Sequence, residues 1–191
     1  MTSSKFVVLT GLDGSGKDFV AENLKNVDPT ASLISTPTPP FQPSRLAVDG
    51  FALVIPAAHY YFYLASIIHA STLIVESLKH GNVYCGRYLI DTVVYHRAMG
   101  LAVNLEYDTP IYHIRKPDLT VFLEISDERI RQERIEKRGK RSIGDTYVDK
   151  KQFRNSLIKE YEKLSEHFVI VNNTNRKIQD VVDEIRSLMQ D

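Results

Sequence analysis

One cysteine, Cys85, in 191 residues leaves nothing to build an internal disulfide from, so the fold must rest on burial and hydrogen bonding. Neither charge is in excess: Lys plus Arg and Asp plus Glu each number 24, which excludes an overall field that would draw the chain to nucleic acid or an anionic membrane. Any cationic site has to be local. A signal-peptide pattern is missing from MTSSKFVVL, which runs straight into apolar residues; with the lone thiol, this leads us to expect a reducing, cytoplasmic setting. The length suits one well-cored domain spanning 1–191 rather than two.

Charge is absent altogether from Phe51 to Val75, which holds no Asp, Glu, Lys or Arg. By length that run could cross a bilayer, but Pro56 breaks it early, and His59, His69, three tyrosines and two serines interrupt it. No membrane span is expected. The pattern fits a helix apolar on most sides, buried in a core or in a subunit interface.

What is present is concentrated near the start. Phe6 to Thr10, FVVLT, reads as a strand buried on both faces, and helical spacing of apolar residues begins at Phe19, Val20 and Leu24. Between them lie Gly11, Leu12, Asp13, Gly14, Ser15, Gly16, Lys17 and Asp18, which meet G-x-x-x-x-G-K. Strand, glycine loop and helix in that order aim backbone N–H groups and a helix N-terminus at one point, where phosphates can sit beside the Lys17 ammonium. The next position, normally Ser or Thr for magnesium, is Asp18, whose carboxylate either caps the helix or holds a hydrated metal.

Further along, short apolar strands at about 31–35, 82–85, 119–125 and 168–171 alternate with helices at 89–99, 128–137, 150–167 and 178–189. A proline-rich segment, Thr36 to Pro43, is expected to be a turn or loop at the second strand's end, an edge where ligand sites form in open parallel sheets. Arg138 to Asp145, RGKRSIGD, reads as a flexible basic loop. The alternation predicts an α/β fold: a parallel sheet of five strands covered by helices on both faces. His59, His69 and His96 are too far apart in sequence for zinc spacing, and Cys85 lies within a buried strand.

Taken together, GLDGSGKD at 11–18, GRYLIDTVVYH at 86–96, KPDLTVFLEI at 116–125, RIEKRGKR at 134–141 and FRNSLIKEYEKL at 153–164 resemble the thymidylate kinase family of P-loop nucleoside monophosphate kinases. The resemblance implies a three-layer α/β/α P-loop fold and a phosphoryl transfer from ATP with Mg2+ to a nucleotide. It also implies a homodimer packed through helices and a short lid, here about 138–148. It makes Lys17, Arg87, Arg138 and Arg141 the catalytic cations. Residues 11–18 become the ATP site, and Asp13, Arg45, Phe62, Ser66, Arg87, Tyr95 and His96 become the acceptor side.

The departures from that family cluster. Its third strand typically ends Asp-Arg, whereas this one ends Gly86-Arg87; Thr36-Pro37-Thr38-Pro39 stands where Thr-Arg-Glu-Pro is common; and His96 stands where a glutamine is usual. Asp91, Asp118 and Glu124 are possible replacements for the missing carboxylate, and Asp18 is a possible metal ligand. The donor side reads as kept and the acceptor side as rebuilt. The expected reaction is dTMP plus ATP to dTDP plus ADP; the alternatives are a kinase for another nucleotide, nucleoside or small molecule, and a nucleotide-binding regulator without catalysis.

Overall fold

A computed structural model describes residues 3–139 and 150–190. Five strands form one parallel sheet: β1 (Phe6–Thr10), β2 (Ser32–Ser35), β3 (Val83–Gly86), β4 (Leu119–Glu124) and β5 (Val169–Asn172), in the order β2-β3-β1-β4-β5. Among the described residues the helices are α1 (Lys17–Asn26), α2 (Arg45–Gly50), α3 (Pro56–Ser77), α4 (Leu89–Ala98), α5 (Glu128–Arg138), α6 (Lys151–Glu162) and α7 (Ile178–Leu188). This is the three-layer arrangement the alternation predicts.

Strand β1 shows why. All five of its residues are buried, because alternate side chains feed two different cores. Phe6 and Val8 pack into a cluster with Ile67 and Ile74 of α3, Val93 and Val94 of α4, and Leu157 and Tyr161 of α6. Val7 and Leu9 enter the other cluster, with Val20 and Leu24 of α1 and Val181 and Ile185 of α7. The order of strands reverses at β1, which places its C-terminal end at the crevice where parallel sheets of this kind receive ligands.

Element ends differ slightly from expectation. Strands β3 and β5 each run one residue further, to Gly86 and Asn172. The last turn expected of α6 becomes a separate 3-10 turn at Ser165–His167, and the proline-rich segment closes into a 3-10 turn at Pro39–Ser44, where fixed proline φ angles suit a tight turn. The charge-free run starts its helix at Pro56, with proline in the first turn, and buries His59, Tyr60, Leu64, Ile67, Ala70 and Ile74. Among the described residues, no helix is long and apolar enough to cross a membrane. The basic segment expected to form the lid, with Lys140 and Arg141, lies outside the described residues apart from its first two positions, Arg138 and Gly139.

Candidate active site around the glycine loop

The loop between β1 and α1 is shaped by its glycines and clamped from outside. Gly14 sits at φ +85°, and a Cβ there would lie 2.8 Å from the Arg131 carbonyl oxygen on α5, so neither the backbone nor the space admits a side chain. The N-cap of α1 is Gly16, with no side chain capping it, which leaves the first-turn N–H groups open to an anion. Asp18 is therefore not the cap.

Lys17, 3% exposed, folds back over the loop: its ammonium donates to the Gly11 carbonyl at 2.5 Å, to the Leu12 carbonyl at 2.8 Å and to Ser15 Oγ at 3.4 Å. Burial, reinforced by the Arg87 guanidinium, lowers its pKa from 10.5 to about 8, against the opposing pull of Asp13, Asp91 and Asp18. The cation is held in place by neutral acceptors, ready to exchange them for phosphate oxygens.

Arg87 follows β3 directly and, among the described residues, is one of two non-glycine residues with positive φ, at 69°. Such a conformation persists when the surroundings over-determine it. Here the Arg87 N–H donates to the Leu9 carbonyl at 2.9 Å, and its own carbonyl accepts from Thr36 Oγ1 at 3.1 Å. The twist aims the guanidinium at the loop, where it binds the Asp13 carboxylate and lies 3.6 Å from Asp18 Oδ1. Burial alone would raise the Asp13 carboxyl, but Arg87 and then Lys17 outweigh it and hold it well below the usual carboxylate range.

Asp91, a candidate for the missing carboxylate, has its oxygens engaged. Oδ2 accepts from the Tyr88 N–H at 2.9 Å as part of the capping box of α4, and Oδ1 accepts from Thr10 Oγ1 at 2.9 Å and Tyr161 OH at 3.1 Å. It ties α4 and α6 to the end of β1 beneath the loop. Asp118 is at the wrong edge: it accepts from the Phe6 N–H at 2.7 Å, where β1 begins. Glu124 ends β4, and its carbonyl accepts from Asn173 N–H at 2.8 Å.

Several residues of the site carry no motif that sequence reasoning could use. Arg131, 2% exposed, donates to the Asp13 carbonyl at 2.7 Å while forking onto both Glu128 oxygens at 2.8 Å. Asn173 Nδ2 donates to the Ser15 carbonyl at 2.7 Å, so the turn after β5 also supports the loop. Arg134 donates to the Asn173 carbonyl at 2.8 Å. Arg134 and Asn173, with Lys17, Asp18, Arg87 and Arg138, border a cavity of about 740 Å³, whose wall also includes Phe19 and Ile178. The signal available in the sequence was the charge of helix 128–137, which by itself reads only as a solvated surface.

Of the residues expected on the acceptor side, Asp13 and Arg87 meet at the loop, while Arg45 and His96 are joined through Asp49 and His59. Ser66 is fully buried and accepts from the Thr38 N–H at 2.8 Å, fastening the proline-rich turn to α3. His96 is 1% exposed and has both ring nitrogens occupied, Nδ1 at 2.6 Å from the Thr92 carbonyl and Nε2 at 2.7 Å from His59 Nδ1. Burial and the neighbouring His59 push its pKa from 6.5 down to about 4, despite the Thr92 carbonyl. The chain continues from His59 Nε2 to Asp49 Oδ1 at 3.2 Å, where Tyr63 OH also donates at 2.7 Å. Arg45 pairs with the other oxygen of Asp49 at 3.4 Å. Phe62 stands edge-on to Phe41, and Tyr95 edge-on to Phe153 of α6. Arg97 donates to the Val103 carbonyl at 2.7 Å.

For a metal, the donors are few. Among the described residues, no three His, Cys, Asp or Glu side chains gather to hold one by themselves. Asp18 presents one largely exposed carboxylate beside the open cradle of the loop. That set fits Mg2+ arriving with phosphates, since Mg2+ is commonly bound by one or two carboxylates, phosphate oxygens and water.

The family model described as Thymidylate kinase matches residues 9–185. A probable thymidylate kinase of Methanocaldococcus jannaschii is 29% identical over 97% of this chain and 95% of its own. The thymidylate kinase of Mycoplasmopsis agalactiae is 27% identical over 94% of this chain and 92% of its own. Among solved structures, thymidylate kinase from Candida albicans superposes with a TM-score of 0.71 at 21% identity, covering 98% of this chain and 92% of that one. The enzyme from Ehrlichia chaffeensis gives 0.66 at 18%, with full coverage of both chains. These structural likenesses bear on the fold. The family match takes in the glycine loop, the arginine-bearing elements around it and the last strand: the chain belongs to the thymidylate kinase family.

Proposed function

We propose that this nucleotide kinase moves the γ-phosphoryl group of ATP to dTMP, giving dTDP and ADP. The observation that carries the reading is the loop itself: Lys17 parked on the Gly11 and Leu12 carbonyls, and Arg87 aimed across it through a strained backbone. Phosphoryl transfer is mainly positioning and charge compensation, and both are built here.

In this reading Gly11 to Asp18 cradle the donor phosphates, with the loop and first-turn N–H groups as donors and Lys17 as the cation between them. When bound, Mg2+ would supply positive charge to offset that of the transferring group. Asp18 is the carboxylate facing it. Arg87 lies between the donor and acceptor sides and supplies a planar fork for phosphate oxygens. Asp13, kept ionised by Arg87, accepts from an acceptor hydroxyl. Arg138, at the end of α5 and on the cavity wall, adds positive charge at the donor end.

A homodimer is part of the proposal. On α3 the positions Tyr61, Ala65, Ile68, Thr72 and Val75 fall on one stripe without a charge, and Tyr61 and Val75 are 66% and 49% exposed. The stripe continues the charge-free run that buries its other face in the core. We also place the chain in the cytoplasm, consistent with its single thiol, Cys85, which is buried in β3 and whose pKa burial pushes up.

The test is ADP release with Mg2+ and ATP against dTMP, the other nucleoside monophosphates and free nucleosides. Turnover fastest with dTMP supports the proposal; turnover confined to another acceptor, or none, contradicts it.

A further inference from the structure

Gly86 ends β3 beside Leu9, one residue before β1 ends at Thr10 and the loop begins. It is not among the glycines with positive φ, so its backbone conformation does not call for glycine. Space does. A Cβ on Gly86 would lie 2.8 Å from Asp18 Oδ1 and 3.9 Å from Asp18 Cγ, and among the described residues no other atom apart from its chain neighbours comes within 4 Å. The volume a side chain at 86 would fill is taken by the carboxylate of Asp18, reaching over from the first turn of α1.

That carboxylate is poorly compensated by the protein. Its side chain is 70% exposed, and its ion-pair contact among the described residues is 3.6 Å to Arg87 Nη1, on an arginine whose closer partner is Asp13. It stands at the positive end of α1, beside a loop built to receive phosphates. A carboxylate in that position repels a phosphate unless a cation lies between them, and a hard divalent cation binds carboxylate and phosphate oxygens together.

We infer that Gly86 and Asp18 act as one unit, in which the absent side chain at the end of β3 seats the Asp18 carboxylate where it anchors the divalent cation accompanying the donor phosphates. This rests on the ATP and Mg2+ reading above and adds Gly86 to it as a positioning residue. It predicts that a carboxylate supplied from β3 into the same volume can replace the one supplied from α1.

The test reads metal binding directly: titrate Mn2+ into enzyme saturated with ADP, follow free Mn2+ by electron paramagnetic resonance, and measure metal-free ADP affinity alongside. Asp18→Asn is expected to weaken Mn2+ binding by about 10-fold to 100-fold, the range known for tuning metal sites, while metal-free ADP affinity holds or improves as the repelling charge is lost. Gly86→Ala is expected to weaken Mn2+ binding in the same direction by displacing Asp18. The double variant Gly86→Asp, Asp18→Ser is expected to recover most of what Asp18→Asn loses. Melting temperatures identify any variant that has not folded, and Asp18→Asn then decides alone. Unchanged Mn2+ affinity in Asp18→Asn, or in folded Gly86→Ala, overturns the pairing while leaving the kinase reading intact. Failure of the unaltered protein to bind Mn2+ with ADP overturns both.

Discussion

The Asp13 carboxylate and the Arg87 guanidinium are bound to each other across the glycine loop, joining the loop's interior to the end of β3. Asp13 is fixed a second time, from behind, by Arg131 on its carbonyl at 2.7 Å. One residue thus receives an arginine on its side chain and another on its backbone. The loop is held in shape before any ligand arrives.

Because the Arg87 fork both orients Asp13 and faces the transfer site, Arg87→Lys keeps a charge but loses the planar geometry. Steady-state kinetics are expected to show kcat/KM reduced by about 100-fold to 1,000-fold, the usual cost of removing a fixed donor from developing charge. The melting temperature should change little beside that, since the Arg87 side chain is a third exposed at 35%.

Lys17 gives the site a pH signature. Its ammonium, with pKa near 8, is the form that binds phosphate, so ATP affinity should be flat below pH 8 and fall as pH rises through it, by up to about tenfold for each pH step of one. Bound phosphate restores the cation, so binding above pH 8 takes up a proton. Calorimetry in buffers of different ionisation enthalpy measures that uptake, and Lys17→Ala should abolish it together with most of the affinity.

His96 gives the fold a different one. Its pKa is about 4 when folded and 6.5 in the open chain, so between these values the unfolded state binds more protons and stability falls as pH falls. The full effect approaches about 3 kcal/mol by pH 4, since each tenfold difference in proton affinity between the folded and open chain is worth about 1.4 kcal/mol. Urea denaturation between pH 7 and pH 4 should show this slope, and His96→Gln should remove most of it while lowering stability at pH 7.

The charge-free stripe on α3 predicts that Val75→Glu, which places a charge on an exposed position, changes the oligomeric state and not the fold. Sedimentation velocity should find a dimer for the unaltered chain and a monomer for the variant, with unchanged circular dichroism.

The layout of the sheet was legible because β1 and β4 are β-branched runs too short for helices, separated by amphipathic segments. Gly11 to Lys17 was legible for a similar reason: its chemistry is backbone geometry written in local spacing. What escaped was every contact made across the fold. Nothing adjacent to Arg131 or Asn173 marks them as supports of the loop, since their partners are 118 and 158 positions away. The hydrogen bonds of Ser66 to Thr38 and of His96 Nε2 to His59 were equally hidden, since each joins elements far apart in sequence.

The most direct test of the central claim follows the phosphoryl group itself. ATP labelled at the γ-phosphate is incubated with dTMP, Mg2+ and either the unaltered chain or Lys17→Ala, and the nucleotides are separated. Label appearing in dTDP with the unaltered chain, and reduced at least about 100-fold in the variant, is the predicted result. Label retained in ATP, or released as free phosphate at the same rate with and without dTMP, would contradict it.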